Sequence, residues 1–275
     1  MQPKVSVCVP TYNHEKYIRQ TLDGALIQKT DFEFEIVIGD DASTDNNQAI
    51  IKEYADKYPN IFRTFLHKQN QGPSEPKEFG GRNNVLALLK ACKGDYVALC
   101  EGDDYWTDPL KLQKQVDFME ANLDFSISHH NMTVIYEDAS PEHFFNDQNQ
   151  KTESSIEDIL ADRWFIATAA TLYRNIFREK DFADWHGRAA AGDWALAIQL
   201  AATGKIHYFK EPMGVYRKHQ GGLSNVQSAT NLFFLKNRRK MFVEVNEWLD
   251  FQYDATIQRT LKAYDKQIQA LETNF

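Results

Sequence analysis

Between Lys4 and Glu101 the chain alternates short β-branched apolar runs with stretches of helical spacing, and this alternation limits the fold more than any other feature. KVSVCVPT, FEIVIGD, IFRTFLH and DYVALCE read as strands, with HEKYIRQTLDGALIQK, DNNQAIIKEYADKY and GGRNNVLALLKACK as helices between them. The strand runs are apolar at nearly every position rather than at every second one, a pattern that suits a sheet covered on both faces. Parallel βαβ units with right-handed crossovers follow. An α/β fold is expected, with residues 1–108 forming a Rossmann-like half around a mainly parallel central sheet flanked by helices.

A second half, about 109–224, has a different rhythm. Asp108 as N-cap and Pro109 at the first helical position open a helix over TDPLKLQKQVDFMEA, followed by the strand FSISHHNMTVIY. The polar, acidic segment 137–155 reads as a mobile loop or insert. SIEDILADR, IATAATLYR, a helix near DWALAIQLAATG and two short strands, IHYF and MGVYRK, complete this half. Residues 225–275 read as a C-terminal extension of one or two amphipathic helices appended to the sheet. Phe233, Phe234, Leu235, Met241 and Phe242 are its apolar residues, and Lys236, Arg238, Arg239 and Lys240 its basic ones. Such a surface suits an anionic membrane face, packing on the domain, or a homodimer.

Composition narrows the partners. The 275 residues carry 31 Lys and Arg against 39 Asp and Glu, a net charge of −8, which opposes the positive field that nucleic-acid binders use. The N-terminal apolar run is cut by Pro10 and no stretch approaches a membrane span, so the expected location is cytoplasmic, or peripheral on the inner face of the cell membrane. Cys8, Cys92 and Cys100 are odd in number, lie in apolar runs and show no Cys-x-x-Cys spacing; they read as reduced core thiols.

Ligands of open parallel sheets bind beyond the carboxyl ends of the strands. Those ends here are Pro10-Thr11-Tyr12-Asn13, Asp40-Asp41-Ala42-Ser43 and Glu101-Gly102-Asp103-Asp104-Tyr105-Trp106. Neither G-x-G-x-x-G nor G-x-x-x-x-G-K-[ST] occurs, which excludes the common dinucleotide and P-loop cradles. Carboxylates would repel a nucleotide's phosphates unless a divalent cation intervened, and hard oxygen donors suit Mn2+ or Mg2+ bridging to a diphosphate. Taken singly, Asp103 and Asp104 read equally as turn residues, Asp41 as a helix cap and Tyr12 as packing. Their coincidence at successive strand ends favours a site. His219, in a loop with Gly221 and Gly222, could close over such a ligand and contact metal or phosphate; a solvated histidine is the plain alternative.

The motifs PTYN at 10–13, DDAST at 40–44, GGRNN at 80–84, KGDY at 93–96 and EGDDYWTDP at 101–109 resemble the nucleotide-sugar glycosyltransferases of family 2, with weaker echoes at GDW (192–194) and YRKHQGG (216–222). The resemblance implies a GT-A fold over residues 1–224, with an acceptor-side half after residue 108. It also implies inverting transfer of a hexosyl or N-acetylhexosaminyl group from a UDP-sugar to a saccharide or lipid-linked acceptor of a bacterial surface glycan. By the same resemblance Pro10, Thr11 and Tyr12, with Asn13 beside them, line the uracil and ribose pocket, and Asp41 accepts the uracil imide N–H. Arg82 lies along the nucleotide, Asp103 touches ribose or metal, and Asp104 holds the metal. Glu101 occupies the first acidic position of the family's Asp-x-Asp signature. Asp193, before an apolar helix, is the implied general base, with a plain N-cap as the compatible alternative; the helix N-terminus would favour its ionised form. Thr168, Thr171 and Arg174 would border the acceptor. A catalytically silent sugar-nucleotide scaffold and a sugar-nucleotide pyrophosphorylase are the competing readings, the second lacking its Gly-rich loop after the first strand.

Overall fold

The computed structural model describes residues 2–72, 80–222 and 231–273. Strands β1 (Val5–Thr11), β2 (Phe34–Asp40), β3 (Phe62–Leu66) and β4 (Tyr96–Leu99) are parallel, connected by α1 (Ile18–Leu26), α2 (Asn47–Lys57) and α3 (Arg82–Ala91). The chain continues through β5 (Tyr105–Trp106), α4 (Lys111–Ala121), β6 (Phe125–Tyr136), β7 (His143–Phe144), β8 (Glu153–Ser154) and α5 (Ile156–Leu160). Then come β9 (Leu172–Arg174), α6 (Gly192–Ala201), β10 (Lys205–Lys218), α7 (Leu232–Trp248) and α8 (Asp254–Glu272). Among the described residues one sheet runs in the order β3-β2-β1-β4-β9-β6-β10-β5, with β7 beside β6 and β8 beside β10. Antiparallel β9 separates β4 from β6, while β10 again runs parallel to β6.

The continuous apolar runs arise because both faces of the sheet are buried. Val5, Val7, Val9, Ile36 and Ile38 pack with Ile18, Leu22, Ile51, Leu112 and Val116 of α1, α2 and α4. Their alternates Cys8, Val37, Val97 and Leu99 share a second core with α3, α5 and α6, and with Phe234, Phe242, Ile257 and Tyr264 of α7 and α8. The C-terminal helices thus add no strand, yet they complete one core. The expected boundary at 224/225 lies outside the described residues. Of the four basic residues of this extension, three close ion pairs within the chain: Lys236 with Glu272 (2.6 Å), Arg238 with Asp162 (2.6 Å) and Arg239 with Asp265 (2.5 Å). No helix among the described residues is long and apolar enough to cross a membrane. The three cysteines are free and buried.

Several boundaries differ from expectation for local reasons. Helix α4 begins at Lys111, because Asp108 closes a turn: its Oδ1 accepts the Leu110 N–H (2.8 Å) and its carbonyl that of Lys111 (3.2 Å). IHYF and MGVYRK are one strand, β10, whose register against β6 slips around Pro212, where a ladder N–H is missing. The segment 137–155 is tied down by β7 and β8, and by the Tyr17 hydroxyl, which donates to the Glu137 carboxylate.

Lys111 is fully buried, its Nζ without a hydrogen-bond partner and 3.8 Å from the Trp106 ring centroid. Burial pushes its amine down from 10.5 to about 7, against a smaller opposing effect of Cys100. Between those values the unfolded chain holds a proton that the folded chain lacks, so stability rises with pH at about 1.4 kcal/mol per unit. Thermal denaturation from pH 7 to 10 should show this rise in the wild type, and in Lys111→Met a higher midpoint at pH 7 with a flatter pH dependence. An unchanged slope in the variant would place the proton elsewhere. Ala42, after β2, is held at φ 63°. The left-handed conformation costs an L-residue about 1–2 kcal/mol, more than the roughly 0.4–1 kcal/mol of chain entropy that a glycine adds to the unfolded state. Ala42→Gly should therefore gain about 0.5–1 kcal/mol in denaturant titration, and a loss would show that the methyl group packs usefully.

Candidate active site

Sheet order departs from β1 toward β2 on one side and β4 on the other, so a crevice opens at the carboxyl ends of these strands. The motif residues stitch its floor. The Asp41 N–H donates to the Thr11 carbonyl (3.1 Å) and the Gly102 N–H to that of Pro10 (3.0 Å). Asn13, at φ 56°, donates its N–H to Ser43 Oγ (2.8 Å) and accepts the Thr44 N–H at Oδ1 (2.8 Å). Tyr12, between these anchored residues, remains 44% exposed. Gly102 is obligatory here, since a Cβ would overlap Thr11 Oγ1 and lie 2.9 Å from His14 Nδ1.

The two adjacent aspartates of DDAST are used differently. Asp40 accepts from the Ser43 N–H (2.8 Å), Asn47 Nδ2 (2.7 Å) and Gln48 Nε2 (2.6 Å), which satisfies it and fixes the turn. Asp41 accepts the Gln71 N–H at Oδ1 (2.6 Å), whereas its Oδ2 is buried with no partner. A buried acceptor without a donor is costly unless a ligand supplies one.

After β4, three carboxyl groups share the crevice. Asp103 Oδ2 lies 3.0 Å from His219 Nε2 and 3.7 Å from His14 Nε2. Burial pushes the Asp103 carboxyl up, but the His219 hydrogen bond and the charges of His14 and His219 outweigh it and hold the group below the usual range. Ligand atoms of His14, Asp103 and His219 lie within 4.8 Å of one another, the one such triad among the described residues. His14 Nδ1 is buried without a partner, and two imidazoles with one carboxylate fit a divalent transition-metal ion. Sequence reasoning missed His14, which directly follows PTYN.

Asp104 does not join this triad: its Oδ1 accepts the Arg217 N–H (2.8 Å), and burial, then the charges of Asp103 and Glu101, push it well up. Arg217, also missed, donates from Nε to the Asp103 carbonyl (3.0 Å) and from Nη2 to Gln20 (2.7 Å), with its guanidinium near the rings of Tyr17 and Tyr105. Burial, with the charges of Asp103 and Asp193, pushes Glu101 up to about 8, and its Oε2 is buried without a partner.

Asp193 faces the same crevice from the start of α6, its Oδ1 accepting the N–H of Trp194 (2.9 Å). Burial outweighs that hydrogen bond and the charge of Arg238, so the carboxyl is raised rather than lowered as a helix N-terminus alone would dictate. Arg82, at the start of α3, is buried and donates to the Gly187 carbonyl (2.9 Å), which places it against the 3-10 turn His186–Arg188. Thr168 hydrogen-bonds Glu101, within the crevice. Arg174 is elsewhere: it donates to the Phe125 carbonyl (2.8 Å) and to the Tyr96 hydroxyl (3.0 Å), at the opposite end of β4. Thr171 is buried on the Ala167 carbonyl.

Comparisons with known proteins bear on the family and the fold. An uncharacterised protein of Mycobacterium tuberculosis is 40% identical over 219 residues, which are 80% of this chain and 60% of that protein. The chain thus spans less than two thirds of that relative. Poly(ribitol-phosphate) beta-N-acetylglucosaminyltransferase TarS of Staphylococcus aureus is 40% identical over 105 residues, 37% of this chain and 16% of that protein. Among solved structures, S. aureus TarS 1–349 in complex with UDP-GlcNAc matches with a TM-score of 0.64 at 23% identity, covering 88% of this chain and 66% of that one. The mannosyltransferase PcManGT from Pyrobaculum calidifontis, in complex with GDP-Man and Mn2+, matches with a TM-score of 0.58 at 17% identity, covering 90% of this chain and 65% of that one. These structures share the GT-A fold. Residues 6–154, just over half of the chain, match Glycosyl transferase family 2, and the chain belongs to that family.

Proposed function

We propose that the protein is a metal-dependent, inverting enzyme that moves a sugar from UDP to a saccharide or lipid-linked acceptor of a bacterial surface glycan. The observation that carries this reading is the His14–Asp103–His219 triad, on the same sheet edge as the unpartnered Asp41 Oδ2, with Asp193 close enough to Glu101 for its charge to raise that carboxyl. TarS, crystallised with UDP-GlcNAc, supports a uridine donor, and the Mn2+ in the mannosyltransferase complex supports a cation. Two imidazole ligands favour manganese over magnesium. Bound there, the cation would neutralise charge on the leaving diphosphate.

In this reading Asp41 Oδ2 accepts the imide N–H of uracil, Tyr12 offers its ring to the base, and Pro10, Thr11 and Asn13 shape the pocket around base and ribose. Arg82 lies at the nucleotide's flank. Asp103 takes the metal with His14 and His219, and Asp104 secures the turn through Arg217 rather than acting as ligand. Asp193 removes the acceptor hydroxyl proton as that oxygen attacks the anomeric carbon. Its raised pKa makes it a stronger base than a solvated aspartate. One displacement inverts the centre, so an α-linked donor gives a β-linked product.

Calorimetry with UDP, GDP, dTDP and CDP, with and without Mn2+, tests the donor site. UDP should bind at least tenfold more tightly with the ion, and His14→Ala or Asp103→Ala should remove that difference. Metal-independent binding in the wild type would overturn the assignment. Asp193→Asn should lower kcat by about 10²–10⁴ while leaving the UDP Kd within threefold, as expected for loss of a general base. Because burial raises Asp193, the wild-type kcat/KM should fall on an acid limb above 3.8, the ordinary aspartate value. A profile flat to below that value would remove Asp193 from the reaction.

A further inference from the structure

Trp164 follows the turn after α5, partly buried, with its ring stacked on that of Trp194 at a centroid distance of 5.1 Å and an interplanar angle of 23°. Trp194 is 4% exposed and follows Asp193 directly. The Arg238 guanidinium of α7 sits 3.7 Å from the Trp194 centroid. Two groups this close cannot share one face, so Trp194 is sandwiched and Trp164 forms the outer layer of the stack.

The turn that presents Trp164 is held rigidly. Asp162 adopts φ 60°, a strained conformation for a residue with a Cβ, and its carboxylate accepts from Arg238 (2.6 Å) and from the Tyr264 hydroxyl (2.8 Å). Three elements distant in sequence thus converge on Asp162, two residues before a partly buried indole that stacks on Trp194, the neighbour of Asp193 at the head of α6. Trp164 packs on the edge of the second core and is only partly buried there. An indole in a rigid setting offers a flat apolar face whose orientation is already fixed, which is what stacking of a ligand ring needs.

We propose that the outer face of Trp164 is a stacking platform for a pyranose ring of the acceptor, one subsite from the hydroxyl that reacts. The assignment rests on Asp193 as the general base: the donor nucleotide is accounted for by Tyr12 and Asp41 at the ends of β1 and β2, so the ring met at Trp164 belongs to the other substrate. A pyranose suits the platform because the C–H bonds of one ring face lie flat on an indole while its hydroxyls stay in water.

The test has two parts. Saturation-transfer NMR with cellobiose, lactose and chitobiose, without nucleotide, should show ring C–H protons of at least one sugar in contact with the wild type. The signal should vanish in Trp164→Ala and persist in Trp164→Phe. In transfer assays Trp164→Ala should raise the acceptor KM at least tenfold with kcat within threefold, and Trp164→Phe should recover most of the loss; thermal melts of both variants check that they fold. No sugar contact in the wild type, or equal contact in Trp164→Ala, overturns the platform. Failure of the glycosyl-transfer reading would show separately, as absence of UDP binding in the wild type.

Discussion

Three carboxyl groups within four residues, Glu101, Asp103 and Asp104, are forced together where β4 ends and water is largely excluded, and much of the molecule is arranged around that repulsion. Unscreened like charges at this spacing cannot all remain ionised without partners. Each is handled differently. Asp103 gains two imidazoles, Asp104 gains the Arg217 N–H, and Glu101 keeps its proton up to about 8. The remedies come from remote segments: His14 from the loop after β1, His219 and Arg217 from the end of β10. Pairing of β10 with β5 (Val215 opposite Tyr105) brings these residues to the turn, so the antiparallel edge of the sheet exists for the site as much as for the core.

What the sequence disclosed follows from the range of the interactions involved. Runs such as VSVCVP and FEIVIGD announce strands because burial on both faces removes every polar position, a local signal of a global fact. Strand-end carboxylates were equally legible, since a parallel sheet sends its ligands to that edge. The choice among adjacent acids was not. Asp40 and Asp41 differ in role because Asn47 and Gln48 claim the first while Gln71 takes one oxygen of the second, and Asp103 and Asp104 differ because a turn points them to opposite neighbours. No periodicity records that. His14 stood next to a quoted motif, and its ligand-like position would have been found by asking which histidines flank strand ends. Arg217 lies within YRKHQGG, yet the motif does not disclose its role, which depends on a pairing across more than a hundred residues.

The C-terminal helices show the limit of reading a charged face by composition. In one dimension Lys236, Arg238 and Arg239 fit a membrane face, packing on the domain or a homodimer alike; folding turns each toward an acid of α8 or of the turn after α5. Exposed pairs such as Lys236–Glu272 contribute little. Arg238–Asp162 is more enclosed, and Arg238 also packs against the rings of Trp194, Phe234 and Tyr264. Its charge therefore acts inward, toward α6, and not outward toward a surface.

That inward charge connects the extension to the chemistry. A general base must be basic enough to take a proton and ionised enough to be ready, and these demands pull in opposite directions. At Asp193 burial raises the pKa, while the Trp194 N–H and Arg238 lower it. Without Arg238 the balance would move toward a protonated, idle acid; without burial it would move toward a weak, solvated base. Because Arg238 belongs to α7, the helices after residue 230 contribute to the electrostatics of the candidate base as well as to the packing behind it, and a truncation that removed them would disturb both at once.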